Sequence, residues 1–519
     1  MDDQSAVIAF LADAASYGLQ RGAVERIDTH CSIVFLAGDR VYKLKRAVAY
    51  SYLDYSTLAL RERYCRAELA LNRRTAPDLY VAVHPIVRRP DGRLNFDGDG
   101  EVLDWVVELR RFDEEGLFDR LAQAQRLTPA LMRALADAIA DFHAKAEIVT
   151  DFGGRAGIGG ALAGNDLNLR QFYPACGQRL IARLHAAATA LLETHGALLD
   201  RRRDKGKVRR CHGDLHLRNV CLIGGRPTLF DCIEFNDQFA CIDVLYDVAF
   251  LLMDLEQRGL GDLGNTAFNR YLDLNEEVDG LPALPLFMSS RAAIRAHNFA
   301  ALAHQQDGNS SGDAAARARA YLRLAYRVLR SPAPRMIAIG GLSGTGKSTL
   351  AQVLAPEFRP APGARLIRSD MIRKRLKKVP PETRLSAEHY GAAEREAVYV
   401  AMVREIYLTL TAGYTCIVDA TFLRSEDRAM MIATADTLNI PFFGLWLDAP
   451  EPLLRARIAE RHGDPSDADL AVLERQLTLD AGRIDWHRID ASTDVATIAA
   501  AARACIARGD PRRQRPSNG

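Results

Sequence analysis

The run Gly341-Leu342-Ser343-Gly344-Thr345-Gly346-Lys347-Ser348 constrains this chain more than any other feature. Before it, Met336-Ile337-Ala338-Ile339 reads as a short buried strand. After it, Thr349-Leu350-Ala351-Gln352-Val353-Leu354 opens a helix. A glycine loop between strand and helix turns its backbone N–H groups inward, and the helix N-terminus adds positive potential, so the loop is a cradle for phosphate. Gly341, Ser343, Gly344, Thr345, Gly346 and Thr349 supply backbone to that cradle. Lys347 would reach β/γ-phosphates, and Ser348 would hold Mg²⁺. The loop therefore implies a bound nucleoside triphosphate.

At 519 residues the chain exceeds one hydrophobic core, so at least two domains are expected. A formal charge of +2 gives no global field for steering onto nucleic acid. The nine cysteines sit mostly in apolar runs without metal-ligand spacing and read as reduced core thiols of a cytoplasmic protein. The start, Met1-Asp2-Asp3-Gln4, lacks the positive charge of a signal peptide, and no apolar run reaches the ~18–20 residues that span a bilayer.

Ser331-Pro332-Ala333-Pro334 forbids a continuing helix, and a boundary is placed there: one domain over 1–330, a linker over 331–335, and a second domain over 336–507. Residues 508–519, rich in Arg and Pro, read as a disordered basic tail. In the second domain, strands at Met336–Ile339, Arg365–Arg368, Thr415–Asp419, Phe442–Leu447 and Ile489–Ala491 alternate with helices, which predicts an α/β parallel sheet. The first domain has α+β order. It opens with a hairpin, Ile33–Leu36 and Val41–Leu44 around Ala37-Gly38-Asp39. A helix follows over Thr57–Arg74, then strands at Leu79–Val87 and Val102–Leu109, then helices. One of these puts Leu131, Leu135, Ile139 and Phe142 on a single face behind Thr128 and Pro129, and another closes the domain over Ala314–Arg330.

A second set of chemistry-bearing residues lies upstream. His212-Gly213-Asp214-Leu215-His216-Leu217-Arg218-Asn219 is followed by Leu229-Phe230-Asp231, an acid ending an apolar strand. Phosphoryl transfer needs a carboxylate to accept the hydroxyl proton and two oxygen ligands for Mg²⁺. Asp214 fits the first need, and Asn219 with Asp231 fits the second. Over about residues 25 to 300, and most over 211–247, the chain resembles the aminoglycoside phosphotransferase family, a branch of the bilobal protein-kinase-like fold. That resemblance implies Asp214 as base, Asn219 and Asp231 as magnesium ligands, and a strand lysine oriented on the triphosphate by a helix glutamate. Lys43 and Lys45 share a strand face, so alternation alone does not choose between them. Val41, a small apolar residue two positions before Lys43, favours Lys43. Glu68 is the better helix partner because Leu69 and Leu71 continue an apolar face; Glu62 is the alternative. Asp243 and Asp247 read as structural caps or ion pairs. No glycine-rich loop precedes the Val41 strand beyond Ala37-Gly38-Asp39.

Around the phosphate cradle, Ser369-Asp370-Met371-Ile372-Arg373 follows the second strand, whose C-terminal end should face the ligand crevice. Asp370 can take an acceptor's proton, and Arg373 can hold an anionic group. The pattern resembles P-loop kinases such as gluconate kinases, polynucleotide 5′-kinases and zeta-type toxins, which implies Asp370 as base and Arg373 as substrate contact. Asp419 ends the third strand, either holding the magnesium water shell or binding the acceptor; it is assigned to the acceptor. Arg457 and Arg461 share a helix face before Gly463-Asp464-Pro465-Ser466, as in a lid carrying arginines over phosphates. The basic run Arg373-Lys374-Arg375-Leu376-Lys377-Lys378 lacks the interleaved aromatics of a nucleic-acid track. The whole resembles bacterial fusions of an aminoglycoside-phosphotransferase-like domain with an AAA-type P-loop domain. The implied activity is ATP- and Mg²⁺-dependent phosphorylation of small-molecule hydroxyls (a sugar, polyol or aminoglycoside-like acceptor) at two nucleotide sites. Neither nucleic acid nor membrane is expected as a partner. A single active P-loop kinase carrying a silent kinase-like module, and a polynucleotide 5′-kinase, are the alternatives.

Overall fold

The computed structural model describes residues 2–19, 24–50, 52–173, 177–305, 308–460 and 467–509. Arg461, the glycine segment at 463–466 and the tail from residue 510 lie outside the described residues. The chain forms two compact units, Met1–Ala161 with Gly196–Leu251, and Leu162–His195 with Leu252–Gly519.

The first unit carries an antiparallel sheet. Its strands are β1 (Glu25–Asp28), β2 (Ser32–Ala37), β3 (Arg40–Lys45), β4 (Tyr80–Arg88), β5 (Leu94–Phe96) and β6 (Glu101–Arg110), in the order β1-β2-β3-β6-β4-β5. The expected hairpin is β2–β3, turning at Gly38 with φ 63°, a left-handed conformation that glycine adopts without strain. Neither β1 nor β5 was expected. All four residues of β1 are exposed, so its sequence carries no burial alternation, and it pairs as a charged edge strand.

Helix α1 (Leu58–Asn72) starts at Thr57, whose side chain accepts the Leu60 N–H. The residues it buries are Arg61, Cys65, Glu68 and Asn72, spaced for one helix face, so a largely polar face is turned inward. Helix α2 (Pro129–Lys145) begins as expected, with Thr128 as cap and Pro129 in its first turn, and buries Met132, Leu135, Ala136 and Ile139. Two short ribbons, β7 (Val208–Arg210) with β10 (Cys241–Asp243) and β8 (Val220–Ile223) with β9 (Arg226–Leu229), frame the loop that carries Asp214.

In the second unit a five-stranded parallel sheet holds β11 (Met336–Gly340), β12 (Arg365–Arg368), β13 (Cys416–Asp419), β14 (Phe442–Asp448) and β15 (His487–Asp490), ordered β12-β13-β11-β14-β15. Alternate residues of β11 enter separate cores, Met336 and Ala338 one, Ile337 and Ile339 the other. Burial on both faces explains why the strand reads as an uninterrupted apolar run. The last strand begins two residues earlier than expected, and the helix before the proline segment runs from Gly308 to Val328 rather than over 314–330.

The edge strand β12 is covered by a helix. From α3 (Gly261–Leu274), Asn269 Oδ1 accepts the Leu366 N–H at 2.7 Å, and Asn265 Nδ2 donates to Pro362 O at 3.1 Å and Ala364 O at 3.0 Å. These carboxamides supply the hydrogen bonds a sixth strand would make. One turn further on, Asp273 pairs with Arg365 at 2.6 Å. Residues 331–335 are irregular, as their prolines require, yet the helices before them cluster with the sheet after them.

Candidate active sites

In the first unit Lys43 and Lys45 leave β3 on the same face and meet one carboxylate. Lys43 Nζ lies 2.8 Å from Glu68 Oε1 and 2.6 Å from Asp231 Oδ1. Lys45 Nζ lies 2.6 Å from Glu68 Oε2 and also pairs with Glu234, which accepts the Tyr55 hydroxyl at 2.6 Å. Exposure separates the two lysines: the Lys43 side chain is 18% exposed and reaches Asp231, whereas Lys45 is 1% exposed and closed in by Glu68, Glu234 and Tyr55. Lys43 thus faces the open side. Burial opposes its charge, but Asp231 and Glu68 outweigh that and raise its pKa. Burial likewise opposes the Glu68 charge, and the two lysines outweigh it and lower its pKa. Glu62 is turned away and pairs with Arg66 at 2.9 Å.

Asp231 adopts φ 60°, a conformation that side chains other than glycine rarely take. Phe230 N–H donates to Asn219 O at 3.1 Å, and His212 Nε2 lies 2.9 Å from Phe230 O, tying the Asp214 loop to Asp231. Asn219 Nδ2 donates to Asp214 O and Oδ2, each at 2.9 Å, which turns its carboxamide oxygen to the other side. An amide oxygen at Asn219 and a carboxylate at Asp231 are the hard ligands magnesium takes. Asp247 is wholly buried and accepts the N–H groups of His212 at 3.0 Å and Gly213 at 2.9 Å, with His143 Nε2 at 3.1 Å. That carboxylate holds the loop's backbone. Asp243 pairs with Arg202 at 2.7 Å and caps Leu245 N–H at 2.8 Å.

The phosphate cradle of the second unit follows β11. Gly341 has φ 134° and Gly344 φ 87°, and a Cβ at Gly344 would stand 2.9 Å from Leu454 O, so glycine is required there on both counts. Lys347 Nζ donates to Leu342 O at 2.8 Å, folding the ammonium over the loop. Ser343 N–H donates to Gln476 Oε1 at 2.8 Å. Helix α4 (Lys347–Leu354) starts behind Gly346. Ser348 Oγ donates to Asp419 Oδ2 at 2.5 Å, and Arg368 Nη2 donates to Ser348 Oγ at 3.3 Å. Register explains the meeting: Asp419 pairs with Ile339 on one side and Arg368 on the other, at the C-terminal end of the sheet. Asp419 was assigned to the acceptor, with the magnesium water shell as the alternative; its carboxylate meets the Ser348 hydroxyl of the loop.

Asp370 is the second residue of α5 (Ser369–Leu376), directly after β12. Nearby, Arg373 donates to His389 O at 2.9 Å and lies 4.4 Å from the Tyr390 ring centroid. Arg373 is 8% exposed, and its Nε has no hydrogen-bond partner among the described residues. The Tyr390 hydroxyl donates to Asp467 at 2.6 Å, and burial, Asp467 and Asp370 raise its pKa. Lys374 is buried between Pro381 O at 2.8 Å and Asp467 at 3.2 Å, and Arg375 pairs with Glu405. The basic run is therefore largely committed to internal partners and presents no continuous exposed track. Arg457 Nη1 donates to Ala491 O at 2.9 Å, just after β15. Tyr55, Arg368, Gln476 and Tyr390 were missed, and Lys45 was weighed but passed over for Lys43. A strand-end arginine, a helix glutamine and an aromatic outside the motifs carry no local signal; Lys45 did, as the sister of Lys43.

A kinase-like unit followed by a parallel P-loop sheet is the architecture of a nucleotide-binding phosphotransferase. Residues 57–285 match the phosphotransferase enzyme family, and residues 336–479 match an AAA domain, so the chain joins one to the other. Uncharacterised proteins of Mycobacterium tuberculosis and Mycobacterium bovis are each 28% identical over 474 residues, covering 89% of this chain and 91% of theirs. Among solved structures, a choline/ethanolamine kinase family protein from Mesorhizobium loti is 13% identical, covering 62% of this chain and 98% of its own, with a TM-score of 0.37. A gluconokinase from Sinorhizobium meliloti is 24% identical, covering 34% and 93%, with a TM-score of 0.25. Among the described residues no helix is long and apolar enough to cross a membrane.

Proposed function

We propose that the chain is a two-site, ATP- and Mg²⁺-dependent phosphotransferase that phosphorylates hydroxyl groups of small molecules such as sugars, polyols or aminoglycoside-like compounds. The observation that carries this reading is that each unit gathers its own triphosphate lysine beside its own metal-type oxygen ligands: Lys43 at Asp231, and Lys347 next to the Ser348–Asp419 pair. Magnesium, when bound, neutralises charge on the phosphate oxygens.

In the first unit Lys43 holds the triphosphate, Glu68 holds Lys43, Asn219 and Asp231 bind the metal, and Asp214 takes the proton of the attacking hydroxyl. In the second, the loop amides and Lys347 hold phosphates, Ser348 and Asp419 serve the metal, and Asp370 takes the proton. Arg373 offers its inward Nε to an anionic group of the acceptor. A small acceptor is favoured over a polynucleotide because Lys374 and Arg375 are spent on Asp467 and Glu405. The free thiols of the eight described cysteines accord with a cytoplasmic location.

Calorimetric titration with a non-hydrolysable ATP analogue and Mg²⁺ tests the two-site reading. Wild type should bind two equivalents, and Lys43→Ala and Lys347→Ala one each. One equivalent in wild type, abolished by Lys347→Ala alone, would leave the first unit without a nucleotide site.

A further inference from the structure

Glu68 meets Lys43 only if α1 lies at the right height against β3. Of the four residues that α1 buries, Cys65 alone joins an apolar cluster, while Arg61, Glu68 and Asn72 are polar. Polar partners therefore set the height of the helix.

Those partners lead back to one side chain. Arg61 and Glu68 stand two turns apart on the inward face of α1. The two lysines of β3 hold Glu68, and Asp104 of β6 holds Arg61, accepting its Nε at 2.8 Å. Arg61 and Asp104 are both wholly buried. The other oxygen of Asp104 accepts Gln4 Nε2 at 2.7 Å. The same nitrogen donates to Lys45 O at 2.8 Å, and Gln4 Oε1 accepts the Ala47 N–H at 2.8 Å. Both amide hydrogens and the amide oxygen of Gln4 are thus engaged. Asp2 adds an ion pair to Arg61 at 3.0 Å. The following helix, Ser5–Ala12, fixes this segment by burying Val7 and Leu11 among Ile33, Phe35, Leu44 and Val106. A continuous path of contacts therefore runs from Gln4 to the end of β3, and through Asp104 to the helix that carries Glu68.

We propose that Gln4 is a positioning residue for the nucleotide site of the first unit: its carboxamide ties the end of β3 to Asp104, Asp104 ties Arg61, and α1 is thereby held where Glu68 meets Lys43. This rests on the reading of Lys43 as the triphosphate lysine. Without the tie, α1 is displaced in a fraction of molecules. In those molecules Lys43 lacks its orienting carboxylate, and apparent affinity falls with the competent fraction.

Binding of a non-hydrolysable ATP analogue with Mg²⁺ is titrated on the full chain in a Lys347→Ala background, so that only the first unit is read. Gln4→Met keeps the side-chain length at a half-buried position and removes both donor and acceptor. It should raise Kd about three- to ten-fold, the size of one net hydrogen bond. Gln4→Glu sets a carboxylate against Asp104 and Lys45 O and should raise Kd further. The discriminating readout is coupling: once Glu68→Gln has weakened the pair with Lys43, Gln4→Met should change Kd by less than about two-fold. A glutamine that only supports the fold would leave Kd unchanged among folded molecules, or would weaken binding equally in both backgrounds. Either result overturns the proposal. If the Lys347→Ala chain binds no analogue, or if Lys43→Ala leaves its binding unaltered, the reading of Lys43 itself fails and the proposal falls with it.

Discussion

Arg365→Met tests whether the helices before the proline segment and the parallel sheet after it stand or fall together. The Arg365 side chain is 1% exposed, its guanidinium lies 2.6 Å from Asp273 and 2.7 Å from Glu405, and Nη1 donates to Asn269 O at 3.2 Å. Methionine fills most of the volume and removes the charge. Glu405 keeps Arg375, but Asp273 loses its nearest cation inside a buried site. Leaving one buried charge unpaired costs about 3–5 kcal/mol. Burial already raises the Asp273 pKa despite Arg365, and without the arginine it should rise further. A carboxyl whose folded pKa lies above its unfolded value stabilises at low pH, and that contribution is lost as pH rises through the folded pKa. The variant's deficit should therefore be larger at pH 8 than at pH 5. Urea unfolding followed by intrinsic fluorescence at both pH values reads it, and Asp273→Asn added to Arg365→Met should recover part of the loss at pH 8. A deficit below about 1 kcal/mol, or one independent of pH, would mean that Arg365 does not hold a buried Asp273 charge.

Lys45→Met should destabilise the first unit by about 3–5 kcal/mol, because it strands Glu234 and half of Glu68 in a closed site; thermal melts should show a smaller loss for Lys43→Met, which faces the open side. Asp419→Asn should leave the fold intact and remove the increment that Mg²⁺ adds to ATP binding at the cradle, read by titrations with and without the ion in a Lys43→Ala background. His297 is held neutral by burial, which pushes its pKa down to about 4. Between that value and about 6.5 the unfolded chain binds a proton that the folded chain does not, so stability is present above pH 6.5 and falls as pH drops toward 4. The thermal midpoint of His297→Leu should accordingly vary less between pH 7 and pH 5 than that of the parent chain.

Glycine spacing and apolar flanks made the phosphate cradle legible, because each glycine answers a backbone requirement that leaves a mark in the sequence. The strand face shared by Lys43 and Lys45 was equally legible. Val41 already favoured Lys43, whereas its meeting with Asp231, 188 residues away, is visible only in three dimensions. Edge strand β1 was invisible because its residues are all exposed. Asn265 and Asn269 look like solvent-facing helix residues, and only the position of β12 reveals them as its hydrogen-bond partners. Asp419 was found, but its meeting with Ser348 depends on the register that sets it against Ile339 and Arg368, which sequence does not carry. Gln476 lacked any motif, since a single amide partner leaves no pattern.

The proposed function requires two phosphoryl-transfer sites in one chain. Acceptor-dependent ATP consumption across sugars, polyols, nucleosides, aminoglycosides and 5′-hydroxyl oligonucleotides, run on wild type, Asp214→Asn and Asp370→Asn, tests it most directly. Two acceptor classes should emerge, one lost with Asp214→Asn and the other with Asp370→Asn. If Asp214→Asn leaves every acceptor-dependent activity intact, the first unit is not a kinase and the claim is contradicted.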